Sequence, residues 1–328
     1  MARATKGGGK RPSFEEEQAA LSTVAADPRS DDARERLLAG LRSRRSLVVA
    51  RAARLIKEHH LDGYEDELTG AFERHMEDPV KADPTCAAKI AAIEALDHAE
   101  SSDAAPFVRA APHEQWEGSN DTAAPLRARA VLALARIGHA DFDLVAARLL
   151  TDWAAPVRQA ALEALAHRGD RANAALALFK LRSGDEDPLV TLAAMTTLVA
   201  LAPAWGLEQL RELLGAENEE KRELAAVALG QSRSDEALTV LLDALDRCAR
   251  AEERAPLLRG AGLHRSERAL QALLGLIADA NPVDAKVAIE SLGPRRFEPG
   301  VAERVRAAAA RNDRADLRAF VDSVFTPP

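Results

Sequence analysis

DWAAPVRQAALEALAHRG, residues 152–169, is the stretch whose reading decides the fold. Its apolar residues recur at intervals of three and four, the spacing of one buried helix face, with no β-like alternation. Five other segments superpose on it: PLRARAVLALARIG from Pro125, PLVTLAAMTTLVALA from Pro188, EKRELAAVALGQS from Glu220, RAPLLRGAGLHRS from Arg254 and VDAKVAIESLGPR from Val283. The last core leucines of this frame are Leu134, Leu165, Leu198, Leu229, Leu263 and Leu292, at successive spacings of 31, 33, 31, 34 and 29. The residue before each is small (Ala133, Ala164, Thr197, Ala228, Gly262, Ser291), and the residue four before is alanine except at Arg259. Small side chains at these two places let neighbouring helices approach closely.

Between the copies lie second amphipathic segments such as DFDLVAARLL (141–150), ANAALALFKLR (172–182), WGLEQLRELL (205–214) and LQALLGLIAD (270–279). Each repeat therefore reads as a helix hairpin, and the chain as an all-α protein, an α-solenoid of stacked hairpins curving into a superhelix.

Composition agrees. Of 328 residues, 47% are hydrophobic and only 4% aromatic, the signature of thin helices packed through alanine and leucine. No apolar run approaches the roughly 20 residues of a membrane span, and no apolar segment follows the basic start MARATKGGGKRPS, so a cytoplasmic chain without membrane insertion is expected. Cys86 and Cys248 lie far apart in helical patterns and read as buried free thiols.

The net charge of −8 is unevenly spread: +5 over 1–60, −11 over 61–124, +4 over 125–182 and −6 over 183–328. Four regions are expected. Residues 1–13, with Lys6, Lys10 and Arg11 around three glycines, form a disordered basic tail. Residues 14–124 hold irregular repeats, with an insertion near 99–124 that carries Pro106, Pro112, Gly118 and Trp116. Regular repeats occupy 125–297, and capping helices 298–328.

The run Asp152, Pro156, Val157, Arg158, Ala161, Ala164, Leu165, Gly169 resembles the HEAT-repeat family, in the short form also found in phycobilisome-lyase-like proteins. The resemblance covers 125–292 and extends back to the helix near Arg44. It implies an interaction scaffold and an Asp-to-Arg tie between neighbouring repeats. Thr191, Pro256 and Ala285 stand where the family often has that arginine.

Catalytic and metal-binding patterns are missing from the sequence. The eight histidines form no HExxH and no spaced Cys/His set, and His113-Glu114 is a lone His-Glu pair where a repeat-based two-iron hydroxylase would need several. His59, His60 and Asp62 read as a solvated helix end. No glycine-rich loop joins a strand to a helix, and no nucleophile elbow occurs. No enzyme, metal or cofactor is expected.

The positions six before, two before and two after each frame leucine share a stripe turned away from the small-residue face. By the family's geometry the stripe lines the concave side, and it includes Leu132 and Arg136; Gln159, Glu163 and His167; Leu192 and Thr196; Val227 and Gln231; and Leu257, Ala261 and Arg265. Apolar residues on such a stripe point to docking of a protein or peptide. Trp116, Trp153 and Trp205 lie at turns and helix ends, where each would either cap a helix pair or anchor a partner. A monomeric protein- or peptide-binding scaffold is the expectation. One alternative is a HEAT-like DNA-binding module or DNA glycosylase, resting on Arg127, Arg129, Arg136 and Arg158 and opposed by the acidic block; the other is a chromophore lyase or chaperone.

Overall fold

The computed structural model describes residues 12–325 apart from Ala249 and Asp313. Most of the expected basic tail, residues 1–11, lies outside the described residues. The chain divides into two compact units between Arg168 and Gly169.

The first unit contains α1 (Phe14–Ser22), α2 (Asp31–Leu41), α3 (Ser46–Glu58), α4 (Glu65–Glu77), α5 (Pro79–Ala82), α6 (Ala87–His98) and α7 (Ala105–Ala110). A two-stranded ribbon follows, β1 (Trp116–Glu117) antiparallel to β2 (Asn120–Asp121), then α8 (Ala124–Ile137), α9 (Phe142–Leu149) and α10 (Ala155–Arg168). The second unit contains α11 (Ala174–Ser183), α12 (Pro188–Leu201), α13 (Pro203–Leu214), α14 (Glu219–Gln231), α15 (Asp235–Arg247), α16 (Ala251–Leu263), α17 (Glu267–Asp279), α18 (Pro282–Leu292), α19 (Val301–Arg311) and α20 (Ala315–Phe325). The fold is an all-α solenoid of packed hairpins.

Each unit has two layers. In the first, α3, α6, α8 and α10 pack in succession, with α2 and α4 against α3 and α6, and α9 against α8 and α10. In the second, α12, α14, α16, α18 and α20 form one layer, while α13, α15, α17 and α19 form the other. The small residues of the frame face the layer contacts as the periodicity implies. Ala130, Ala133, Leu134, Ala161, Ala164 and Leu165 are buried in the first unit, and so are Ala194, Ala225, Ala228, Leu229, Ala288 and Leu292 in the second. Among the described residues no helix is long and apolar enough to cross a membrane.

The fifth repeat departs from the expected register. Leu263 is 43% exposed and Arg259 faces solvent, whereas Leu257, Leu258 and Ala261 are buried. The cause is backbone contact: a Cβ on Gly230 would sit 2.1 Å from the Gly260 carbonyl oxygen, and one on Gly260 would sit 2.5 Å from that of Ala226. Only paired glycines allow α14 and α16 to come so close, and this sets the frame residue at Ala261, two positions earlier. The last two spacings become 32 and 31. Leu257 and Ala261 therefore belong to the core, and Ala255, Arg259 and Leu263 take their places on the stripe.

The same correction restores an arginine. Seven residues before the frame position stand Arg127, Arg158, Arg222 and, in the corrected register, Arg254 instead of Pro256. Each donates Nη1 to backbone carbonyls of the segment before its helix: Arg127 to His113 ahead of the ribbon at 3.1 Å, Arg158 to Asp152 and Trp153, Arg222 to Ala216 and Glu217, and Arg254 to Leu245 in the last turn of α15 and to Cys248 just after it. These charge-assisted bonds fasten the turns between hairpins.

The 99–124 segment holds α7, packed on α8 and α4, and the two-stranded ribbon. Gly118 supplies the positive φ of 62° at the ribbon's tip. Arg127, 2% exposed, bonds both carboxylates beside it: Asp121 through Nη2 at 2.5 Å, and Asp152 through Nε and Nη2 at 2.8 Å each. Burial works to raise the Asp121 carboxyl, but hydrogen bonds and charge from Arg127 overcome it and hold the group below the usual range.

Candidate functional site

The stripe residues of the first unit lie on α8 and α10. Leu132 is half-buried, and Arg136 is tied down, its Nε 3.1 Å from Asp97 Oδ1 and its Nη2 on the Ser101 carbonyl. Gln159 donates to Glu163 at 2.8 Å, and Glu163 and His167 face solvent.

In the second unit Leu192 and Thr196 lie one turn apart on α12, and Val227 and Gln231 one turn apart on α14. Leu192, Thr196 and Val227 are half-buried and Gln231 is exposed. Thr196 and Gln231 line an open cleft of about 540 Å³ with Val199, Ala200, Pro203 and Ala228. The Thr196 hydroxyl donates back to the Leu192 and Ala193 carbonyls of its own helix. Gln231 supplies an amide without a partner among the described residues, a polar handle at the edge of an apolar surface.

The three tryptophans share no common site. Trp116 is on β1, Trp205 in the first turn of α13, and Trp153, 81% exposed, lies in the turn before α10. None is buried, so none serves as an internal plug. Trp153 edges a small cleft of about 120 Å³ with Pro112, Glu114, Arg148 and Thr151.

The arginines that suggested nucleic acid are engaged elsewhere. Arg127 and Arg158 are buried on the bonds described above, and Arg129 and Arg136 both pair with Asp97, at 3.4 and 3.1 Å. Arg127 is thus held by two carboxylates, Arg129 and Arg136 share one, and Arg158 donates to backbone carbonyls, so these arginines are engaged within the fold.

Among the described residues no group of three or more His, Cys, Asp or Glu side chains could hold a metal ion. His60 Nδ1 lies 2.8 Å from His98 Nε2, two ligands without a third. Both cysteines are free, but Cys248 is half-buried where full burial is the expectation. Cys86 is fully buried at the start of α6, and burial pushes its thiol up to about 12, which keeps it protonated and unreactive.

Sequence reasoning did not find a second cleft beside the first, which shares Gln231, Ser232 and Arg233 with it and adds Arg265 and Arg295. A signal existed. Arg233 and Arg265 each stand four residues after the frame position, but only in the corrected register, since the misplaced Leu263 hides the match.

Residues 175–259 match the family described as HEAT repeats. No curated protein matches the chain. Among solved structures it is similar to YibA of E. coli, at 16% identity and TM-score 0.41, covering 84% of this chain and 96% of that one. The complex of CpcE and CpcF of phycocyanin lyase from Nostoc sp. gives 17% identity and TM-score 0.35, covering 85% and 94%. Human deoxyhypusine hydroxylase in complex with glycerol gives 18% and 0.29, covering 85% and 96%.

Proposed function

We propose that this chain of HEAT repeats is a non-enzymatic scaffold that docks a protein or peptide segment on the stripe side of α12 and α14. The observation that carries the reading is the 540 Å³ cleft in which Thr196 and Gln231 meet an apolar wall, with Leu192 and Val227 half-exposed one turn earlier on the same helices. Apolar side chains left at a groove beside a free amide suit a peptide, whose side chains fill the apolar wall while its backbone bonds the amide. Engagement of Arg127, Arg129 and Arg136 by the carboxylates of Asp121, Asp152 and Asp97, and of Arg158 by backbone carbonyls, supports a protein partner over nucleic acid.

The test is an affinity capture with the wild type beside Thr196→Arg with Gln231→Arg, its fold checked by circular dichroism. Two long cations in the cleft are expected to abolish capture of a partner that the wild type retains. Retention of the same partner by the folded double variant moves the docking site away from α12 and α14.

A further inference from the structure

The second cleft, about 570 Å³, opens where α14, α16 and α18 end. Three guanidinium groups line it, those of Arg233, Arg265 and Arg295, against a single carboxylate, Glu298. Arg295 is 8% exposed and spends Nε and Nη2 on Glu298 at 2.9 and 2.8 Å. Its Nη1 is buried with no acceptor. A buried charged donor without a partner is costly to maintain, and proteins seldom leave one unless something else completes it.

Arg233 and Arg265 are exposed, and among the described residues neither pairs with a carboxylate. They occupy the same position of consecutive repeats, just beyond the ends of α14 and α16, so the packing of these helices brings both to the lining of one cleft. The rim between them is braced. His264, buried, bonds the Ser234 carbonyl through Nε2 at 3.2 Å and meets the Ser266 hydroxyl through Nδ1 at 2.9 Å, which joins the turn before α15 to the turn before α17. Those helices begin here, capped by Ser234 and Ser266, and add their positive ends to the field.

We propose that this cleft binds a phosphoryl group, held by Arg233 and Arg265 with Arg295 behind them. Glu298 neutralises one guanidinium and leaves two positive charges, which a phosphate dianion balances and a lone carboxylate does not. Planar forks suit a tetrahedral oxyanion with several acceptor oxygens. The phosphoryl group comes either as free phosphate or as a phosphorylated side chain of a peptide. This cleft adjoins the apolar docking cleft and shares Gln231, Ser232 and Arg233 with it, but its remaining cations, Arg265 and Arg295, belong to it alone, and phosphate binding requires no docked segment.

Equilibrium dialysis of radiolabelled inorganic phosphate at about 0.15 M salt tests the proposal, with the wild type beside Arg233→Ala with Arg265→Ala. Both positions are exposed, so the variant is expected to fold, and circular dichroism checks this. One equivalent should bind the wild type with a millimolar dissociation constant, and the variant about tenfold or more weakly. Absence of saturable uptake by the wild type, or equal uptake by the variant, overturns the site. Competition by a phosphoserine peptide and its unphosphorylated twin separates the sources: displacement at about tenfold lower concentration than phosphate by the phosphorylated form alone assigns a peptide, and displacement at equal concentration assigns free phosphate.

Discussion

Between α8 and α10 in the first unit, alanines at Ala130, Ala133, Ala161 and Ala164 make the close face, and Arg127 fastens the neighbouring loops through two carboxylates. Between α14 and α16 in the second unit, Gly230 and Gly260 bring backbones into direct contact, and among the described residues Arg222 of α14 donates only to the Ala216 and Glu217 carbonyls. One helix further on, Arg254 of α16 meets one carboxylate on α18, Asp284 Oδ2 at 2.7 Å. The two pairs occupy equivalent places in the repeat. In one, the helix contact is ordinary and the turns carry a buried ionic clamp; in the other, the clamp is smaller and the register depends on the absence of side chains. A repeat needs both a close face and a fastened turn, and it can draw specificity from either.

The largest effect should come from Arg127→Met, which leaves Asp121 and Asp152 buried without a countercharge. A loss of about 3–5 kcal/mol is expected in urea unfolding followed by circular dichroism, with hydrogen exchange accelerated in the loops around His113 and Asp152. A loss comparable to that of a surface change would show the clamp to be dispensable. Next comes Gly260→Ala, whose added methyl meets the Ala226 carbonyl; about 1–3 kcal/mol should be lost, read by hydrogen exchange in α14 and α16. An unchanged α14–α16 exchange pattern would break the register argument. Arg254→Met removes one carboxylate partner instead of two and should cost less than Arg127→Met, about 1–3 kcal/mol in the same unfolding assay.

Acid should separate the clamp from the glycine contact. The Asp121 carboxyl is held below its ordinary value, so its contribution is complete above about pH 3.9 and is lost as pH falls through the lower folded value. Burial lowers His113 as well, so stability also falls as pH drops below about 6.5, where the unfolded chain takes up the proton first. Exchange protection, corrected for the intrinsic rate at each pH, should therefore be lost near Asp121 and His113 on acidification before it is lost in α14 and α16; simultaneous loss would contradict the contrast. The smallest effect is expected for Glu163→Arg on the exposed stripe of α10, within about 0.5 kcal/mol by thermal or urea unfolding.

Much of the architecture was legible because its signals are local. The alanines of the frame, the intervening amphipathic segments and the breaks at Pro106, Pro112 and Gly118 follow from helix periodicity and backbone preference. The partial accessibility of Leu192, Thr196, Val227 and Gln231 was legible for the same reason. The pattern failed at Leu257 and Ala261 because the motif AGL in RAPLLRGAGLHRS imitates the frame's Ala-Leu ending, while the true register is fixed across the helix interface by Gly230 and Gly260.

From its sequence alone this protein is an all-α array of helix hairpins with an acidic, irregular N-terminal region, because periodicity, composition and charge are properties of residues near one another in the chain. Only the tertiary structure decided which residue of the fifth repeat faces the core, that Arg127 is a buried clamp instead of a surface cation, and that Arg233, Arg265 and Arg295 converge on one cleft. Each depends on groups 25 or more residues apart being brought within bonding or van der Waals distance, and no local pattern records which atoms will meet there.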